Sequence, residues 1–315
     1  MNFTALLNIM ITLFLLMICG YVCRKLGIMD GVASKNFSKL IIAVGQPMMI
    51  IGALNNAEYS QENLKIALYT TLISVAMHIV MGTAAFLLCR KMKNVNHAKL
   101  IEFGLVFTNC GFLGFPILDS IYGSNIGSFM GAFYVIAFHI FLWTWGIVIL
   151  ARGRDDIKLT PKKALLNYGT VPCAIGVVIY LLKPLFEIPE SVGKFFSYLG
   201  GLCTPISVLI TGGLLATISL GAMFKNRQLY FMSFFKLLIF PMAACLLAKL
   251  CGLSDTYIIL CTVMAGLPSA STVTMLAELH DIEPGYASQT VGMTSLLTTA
   301  TLPCAVLFAQ WIISI

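Results

Sequence analysis

Residues Leu100–Ile121 read LIEFGLVFTNCGFLGFPILDSI. The stretch is apolar and long enough to cross a bilayer, which takes about 20 residues. Gly114-Phe115-Pro116 breaks it near the middle. Thr256–Leu279, TYIILCTVMAGLPSASTVTMLAEL, is built the same way and is broken by Gly266-Leu267-Pro268. A backbone interrupted at membrane depth leaves peptide groups without intrahelical partners. That is tolerated only where the break is packed in protein or lines a cavity. Two such breaks at matching places in two halves of a chain point to the binding site of a secondary transporter.

The composition agrees with a lipid solvent. The chain has 315 residues, 59% hydrophobic and 10% charged, with a mean hydropathy of +0.92. A soluble domain carries about 25% charged residues. An all-α membrane protein is therefore expected. The net charge of +7 does not imply nucleic acid, because the basic residues sit in short clusters between apolar runs and form no continuous face. The ten cysteines include no Cys-x-x-Cys pair, and Cys19 and Cys23 read as small apolar side chains on one helix. No metal site and no cofactor is expected. The first span ends in Arg24-Lys25, with no Lys or Arg before it. That order is the reverse of a signal peptide's, so the span reads as a retained helix.

Ten spans are expected, at 3–23, 36–54, 64–89, 100–122, 126–151, 166–183, 192–221, 228–251, 256–279 and 285–313. Lys and Arg concentrate in alternate gaps: Arg24, Lys25, Lys35 and Lys39; Arg90, Lys91, Lys93 and Lys99; Arg152, Arg154, Lys158, Lys162 and Lys163; Lys225 and Arg227. The opposite gaps hold only Lys65, Lys183, Lys194 and Lys249. This asymmetry places the first set in the cytoplasm and both termini outside, in the plasma membrane of a bacterial-type cell. The basic stretch divides the chain into a first repeat (1–151), a cytoplasmic linker (152–165) and a second repeat (166–315). Five spans per half force the halves to be inverted relative to each other. Gly114-x-Pro116 and Gly266-x-Pro268 fall in the fourth span of each half, and Pro47 and Pro205 in the second, at nearly equal offsets.

Asn109-Cys110-Gly111-Phe112-Leu113-Gly114-Phe115-Pro116 resembles the N-x-G-x-x-G-x-P motif of the auxin efflux carrier family, which includes plant carriers and bacterial malate and malonate permeases. Leu267-Pro268-Ser269-Ala270, Leu276-Ala277-Glu278, Ala287-Ser288, Thr294-Ser295-Leu296-Leu297 and Leu302-Pro303 are similar to the family's last two helices. The resemblance covers the whole chain. It implies two inverted five-helix repeats with crossed, broken helices four and nine, a fold of the bile-acid-symporter type. It also implies a scaffold of helices one, two, six and seven, and a transport domain of helices three to five and eight to ten. Elevator-type movement of small organic anions and a homodimer through the scaffold are implied as well. The long hydrophilic loop of many plant members is absent, which points to a compact member. Ser271 and Thr272 stand where relatives often carry Asn, and this leaves the substrate open among malate, malonate and auxin-like acids.

The residues suggest how such a site works. Gly114 and Gly266 can end half-helices through a positive φ, and Pro116 and Pro268 can begin the next ones. Each break then offers N–H groups and a partly positive helix end, which favours an anion. Asn109, beside Gly111, adds a carboxamide donor; its alternative role is an interhelical hydrogen bond worth about 1 kcal/mol. Ser269, Ser271 and Thr272 add hydroxyls, with bonds to their own helix as the alternative. Gln46 and Pro47 can meet the crossover from the scaffold or simply pack.

Intramembrane ionisable groups are treated as functional unless shown otherwise. Asp119 either takes up a proton during transport or sits near the outer water. His139 is the better proton-coupling candidate, and His78 reads as a packing residue. Glu102 and Glu278 are expected to reach water at the inner ends of their helices, and Lys236 to snorkel to the inner surface. Coupling to a proton, to sodium or to neither stays open. A passive anion channel or uniporter is the alternative class. It would favour charged pore rings, and none is visible. An enzyme pairing Ser269 with His78 or His139 lacks Gly-x-Ser-x-Gly and His-Glu-x-x-His signatures. No phosphate-binding Gly-x-x-x-x-Gly-Lys loop for an ATP-driven pump is present.

Overall fold

The computed structural model describes residues 3–154, 157 and 166–315, so most of the expected linker, with Lys158, Lys162 and Lys163, lies outside the described residues. Within them the chain is helical and contains no strand. The elements are α1 (Phe3–Lys25), α2 (Gly31–Asn56), α3 (Gln61–Cys89), α4 (Val95–Val106), α5 (Cys110–Tyr122), α6 (Ser124–Ala151) and α7 (Thr170–Leu182). They continue with α8 (Glu190–Leu215), α9 (Leu220–Lys225), α10 (Arg227–Leu250), α11 (Asp255–Gly266), α12 (Thr272–Leu279) and α13 (Pro284–Ser314). Seven of the described helices, α1, α2, α3, α6, α8, α10 and α13, are long and apolar enough to cross a bilayer. Shorter apolar helices are α5, α7 and α11.

Helix α1 shows why the solvent is lipid. It buries Leu6, Met10, Leu13 and Met17 on one face and exposes Leu7, Ile11, Leu15, Ile18 and Val22 on the other. Both faces are apolar, which fits only an apolar surrounding. Polar caps mark where several helices begin. Asp30 accepts from the Ala33 N–H at the start of α2, and Asn94 from Asn96 and His97 at the start of α4. Asn226 accepts from Gln228 at the start of α10. Each supplies an acceptor to an N–H that the helix itself leaves unpaired.

Four π-helical turns interrupt the long helices, at Ile41–Gly45, Cys110–Gly114, Leu142–Gly146 and Phe235–Ile239. Three are followed by a prolyl pair: Gln46-Pro47, Phe115-Pro116 and Phe240-Pro241. Proline cannot return an N–H to the preceding turn, and its ring crowds the carbonyl four residues back. A wider turn placed just ahead relieves that crowding and lets the helix continue.

The chain forms two compact units. The first comprises Met1–Ser74, Gly111–Thr144 and Leu159–Gly213. Here α1 and α8 approach until their backbones touch. A Cβ on Gly20 would overlap the Leu209 carbonyl, and one on Gly212 the Met17 carbonyl. Such small-residue contacts take the place of the hydrophobic drive that lipid cannot supply. Gly200 lies against Met49 and Gly176 against Leu54, seating α8 and α7 on α2.

The second unit comprises Val75–Cys110, Trp145–Lys158 and Leu214–Ile315. Gly266 of α11 packs on Leu302 of α13 and Pro241 of α10. Glu102 does not reach water as expected. Its side chain is fully buried and receives both arms of the Arg152 guanidinium, with Nη1 2.7 Å from Oε2. A carboxylate in an apolar surround needs such a fork-shaped partner. His97 lies between Gln228 Oε1 at 2.7 Å and Glu283 Oε2 at 2.8 Å. Its ring stacks on Tyr286 at 3.7 Å, nearly parallel. This cluster joins the starts of α4, α10 and α13.

Candidate functional site

Helix α4 stops at Val106, where Phe107 turns to extended geometry, and α5 begins at Cys110. The first span therefore breaks at residues 107–109. This corrects the expectation of a break at Gly114-Phe115-Pro116. Gly114 is helical, with φ −63°, and Pro116 sits in the first turn of regular α-helix after the π turn. The second span breaks where expected: α11 ends at Gly266, Leu267 is extended, and α12 begins at Thr272. Neither Gly114 nor Gly266 takes a positive φ. Both helices end by switching to extended backbone, not by a left-handed glycine.

Within the second unit the two breaks satisfy each other. The Asn109 N–H donates to the Pro268 carbonyl at 2.8 Å, and the Ala270 N–H to the Phe107 carbonyl at 2.9 Å. Thr108 and Ser269 form the antiparallel bridge between them. Peptide groups released by breaking one helix are thus taken up by the other, which is what an apolar surround demands. Ser269 is fully buried and fastens the crossing. Its hydroxyl donates to the Gly104 carbonyl at 3.0 Å, and its N–H donates to Thr294 Oγ1 at 3.2 Å.

Lys236 does not snorkel. It is fully buried, and Nζ donates to the Leu105 carbonyl at 2.8 Å. That carbonyl belongs to the last turn of α4, whose helix end is partly negative. The ammonium thus caps the broken helix from inside the protein.

Buried hydroxyls lie at the two breaks and along α12 and α13. Thr108, Ser271, Thr272, Thr274, Ser295 and Thr298 all place a buried oxygen without a hydrogen-bond partner among the described residues. Buried polar atoms are normally paired, so an unpaired set of this size stands out. Asn109 itself is 5% exposed.

Other candidates lie in the first unit. Gln46 Nε2 is 3.1 Å from His139 Nε2, and both side chains are buried. The same amide nitrogen lies 3.5 Å from where a Cβ on Gly111 would be. The Phe112 carbonyl, to which Pro116 cannot return an N–H, accepts instead from the Thr204 hydroxyl at 2.8 Å. Pro116 also lines a cavity of about 270 Å³ with Met48, Met49, Phe115, Asp119, Asn125, Ser128 and Phe196, among others. Ser128 Oγ is 2.8 Å from each oxygen of Asp119. Pro47 is buried in the turn that follows the π segment of α2. His78 is buried, with its ring 6.2 Å from that of Phe107 in the second unit.

Asn109, Gly266, Pro268, Ser269, Ser271 and Thr272 thus belong to one unit, and Gln46, Pro47, Gly111, Gly114, Pro116, Asp119 and His139 to the other. Residue patterns single out neither Thr108, Thr204 nor the α13 hydroxyls as site groups, and they read Lys236 only as a snorkelling side chain. A readable signal exists for the α13 hydroxyls, because Thr290, Thr294 and Thr298 recur every fourth residue of an apolar helix.

A helical membrane protein whose two interrupted helices pair at their breaks is of the transporter class. The chain belongs to the membrane transport protein family, the auxin-efflux-carrier-like family, which it matches over residues 5–306. It is 22% identical to an uncharacterized transporter of Methanothermobacter thermautotrophicus over 299 residues, covering 93% of this chain and 95% of that one. It is 21% identical to the uncharacterized transporter YfdV of Escherichia coli K12 over 302 residues, with the same coverage. The protein is therefore a multi-pass membrane protein of a transporter family.

Proposed function

We propose that the protein is a secondary carrier of small organic anions, carboxylates such as malate, malonate or auxin-like acids, working by elevator-type alternating access. The observation that carries this reading is the mutual pairing of residues 107–109 with 268–270. A backbone crossing of this kind is retained at membrane depth only where it is packed in protein or lines a cavity, and two of them paired in one unit suit a binding site. The helix start at Thr272 and the unpaired hydroxyls of Thr108, Ser271 and Thr272 offer donors suited to a carboxylate.

In this reading the chain crosses the plasma membrane ten times as two inverted five-helix repeats, both termini outside. Helices three to five and eight to ten move against a scaffold of helices one, two, six and seven, through which two copies pair. Support comes from the interruption of both fourth spans and from the matched second spans: α2 carries its π turn before Pro47, and α8 a turn at Leu202 before Pro205. Asp119 and His139 are the groups available for proton coupling.

Counterflow in proteoliposomes tests the reading. Preloaded malate or malonate should accelerate uptake of the labelled acid and saturate. Asn109→Ala and Pro116→Ala should each lower uptake at least tenfold while the protein stays in the membrane. Non-saturating flux without counterflow would make the protein a pore, and normal uptake by both variants would take the crossing out of the mechanism.

A further inference from the structure

Lys236 is a buried cation without an anion. Its side chain is fully buried, and its hydrogen bond among the described residues goes to a neutral group, the Leu105 carbonyl at 2.8 Å. An ammonium carries three N–H donors, so two are left over. The described acids of the second unit are committed elsewhere or turned outward. Glu102 takes Arg152 and Glu283 takes His97, while Asp255, Glu278 and Asp281 are exposed. A buried charge without a counter-charge is costly, and an intramembrane ionisable group in that state marks a functional site.

The side chain stands beside both breaks of that unit. Leu105 lies in the last turn of α4, three residues before Thr108. A Cβ on Gly104 would strike Met232, one turn before Lys236 on α10, and would also meet the Ser269 hydroxyl. The inner face of α10 therefore runs past the end of the first broken span and the bridging residue of the second. Ser233, three residues before Lys236 and so its neighbour on the helix surface, is 4% exposed, and Thr108 is 1% exposed. Neither hydroxyl has a partner among the described residues. An ionised carboxylate accepts at about four positions, which two ammonium N–H groups and two hydroxyls fill.

We propose that Lys236 binds the carboxylate of the transported solute, with the Ser233 and Thr108 hydroxyls beside it, so that the anion site lies wholly within the second unit. The proposal rests on the carrier reading above. It makes the ammonium the source of selectivity for a charged over a neutral solute, a role that capping α4 alone would not give it.

Acids paired with their amides test it, since the members of a pair share a shape and differ in charge. Calorimetry of the purified full chain would use malonate against malonamide and indole-3-acetate against indole-3-acetamide, with sulfate as an inorganic anion. The wild type should bind at least one acid at least tenfold more tightly than its amide. Lys236→Met should bind that acid at least tenfold more weakly and leave the amide unchanged, and Lys236→Arg should keep part of the discrimination. Ser233→Ala leaves the α4 cap in place and should also weaken the acid more than the amide, which keeps the test decisive if Lys236→Met unfolds. Equal binding of acid and amide by the wild type overturns the assignment. So does discrimination unchanged in Lys236→Met, or in Ser233→Ala where Lys236→Met is unfolded. Both results leave the carrier reading standing, because the acid is still bound. Sulfate bound by the wild type and lost in Lys236→Met, with neither acid bound, keeps Lys236 as an anion site and removes the organic-anion reading. Binding of neither acid nor sulfate overturns both.

Discussion

Gln46 and His139, 93 positions apart in the chain, meet side chain to side chain at 3.1 Å inside the first unit. The contact joins a residue read as a candidate for the solute path to one read as a candidate for proton coupling. With the Gln46 amide donating to Nε2, the imidazole carries its proton on Nδ1, which has no partner among the described residues. Removing either side chain strands a buried polar atom, at a cost of about 1–3 kcal/mol. Gln46→Leu and His139→Leu should each destabilise by that order, and the double variant should cost clearly less than their sum. Chemical denaturation in detergent measures the cycle; strictly additive losses would mean that the two side chains do not interact.

Thr204 answers for a defect that Pro116 creates. The proline cannot return an N–H to the Phe112 carbonyl, and the threonine hydroxyl takes that acceptor at 2.8 Å. Thr204→Val keeps the shape and deletes the donor, so the loss should be about 1–3 kcal/mol. Thr204→Ser keeps the donor and should lose much less. Equal stability of the valine and serine variants, read from unfolding midpoints, would show that the bond carries no weight.

The helices were legible because a bilayer demands long apolar runs, and α1, α3 and α10 could be placed from hydropathy alone. The fourth span shows where such reading stops. Gly114 and Pro116 advertise a weak helix, but a π turn absorbs that weakness, and the backbone opens at Phe107–Asn109, where it can pair with Pro268–Ala270. Position along one helix does not encode the partner strand 160 or so residues away. Lys236 was misread for the same reason. Counting turns to the nearest basic gap gives depth but not direction, and the Leu105 carbonyl that receives the ammonium is free only because α4 ends there. Glu102 likewise reads as an inner-end carboxylate until Arg152 closes over it.

Lys236 gives the next prediction. Lys236→Met replaces a buried ammonium by an apolar chain of similar length. The burden of a buried charge disappears, yet the Leu105 carbonyl loses its donor. These effects oppose, so stability should change by no more than about 2 kcal/mol. Uptake should fall at least tenfold, because the last turn of α4 is free to rewind across residues 107–109. Unchanged uptake with unchanged stability would assign Lys236 no part in holding the break open. Cysteine accessibility at Thr108 offers a second readout and should alter in the same variant.

The His97 cluster is the last case. His97 faces two acceptors, Gln228 Oε1 and Glu283 Oε2, and Tyr286 also donates to Gln228 Oε1 at 3.1 Å. The ring nitrogen that faces Glu283 Oε2 donates to that carboxylate, and the contact is an ion pair whenever the ring is protonated. Its side chains are 22% and 39% exposed, and water screens a pair of that kind to about 0.2–1 kcal/mol. A His97→Ala, Glu283→Ala double-mutant cycle should return a coupling in that range. His97→Ala alone should cost more, since it also removes the ring stacked on Tyr286, a contact worth about 0.5–1.5 kcal/mol. His97→Phe, which keeps a flat ring but no donor, should recover the stacking part only. If phenylalanine were no better than alanine by thermal unfolding, the stack would contribute nothing, and the three helix starts would be joined through polar contacts alone.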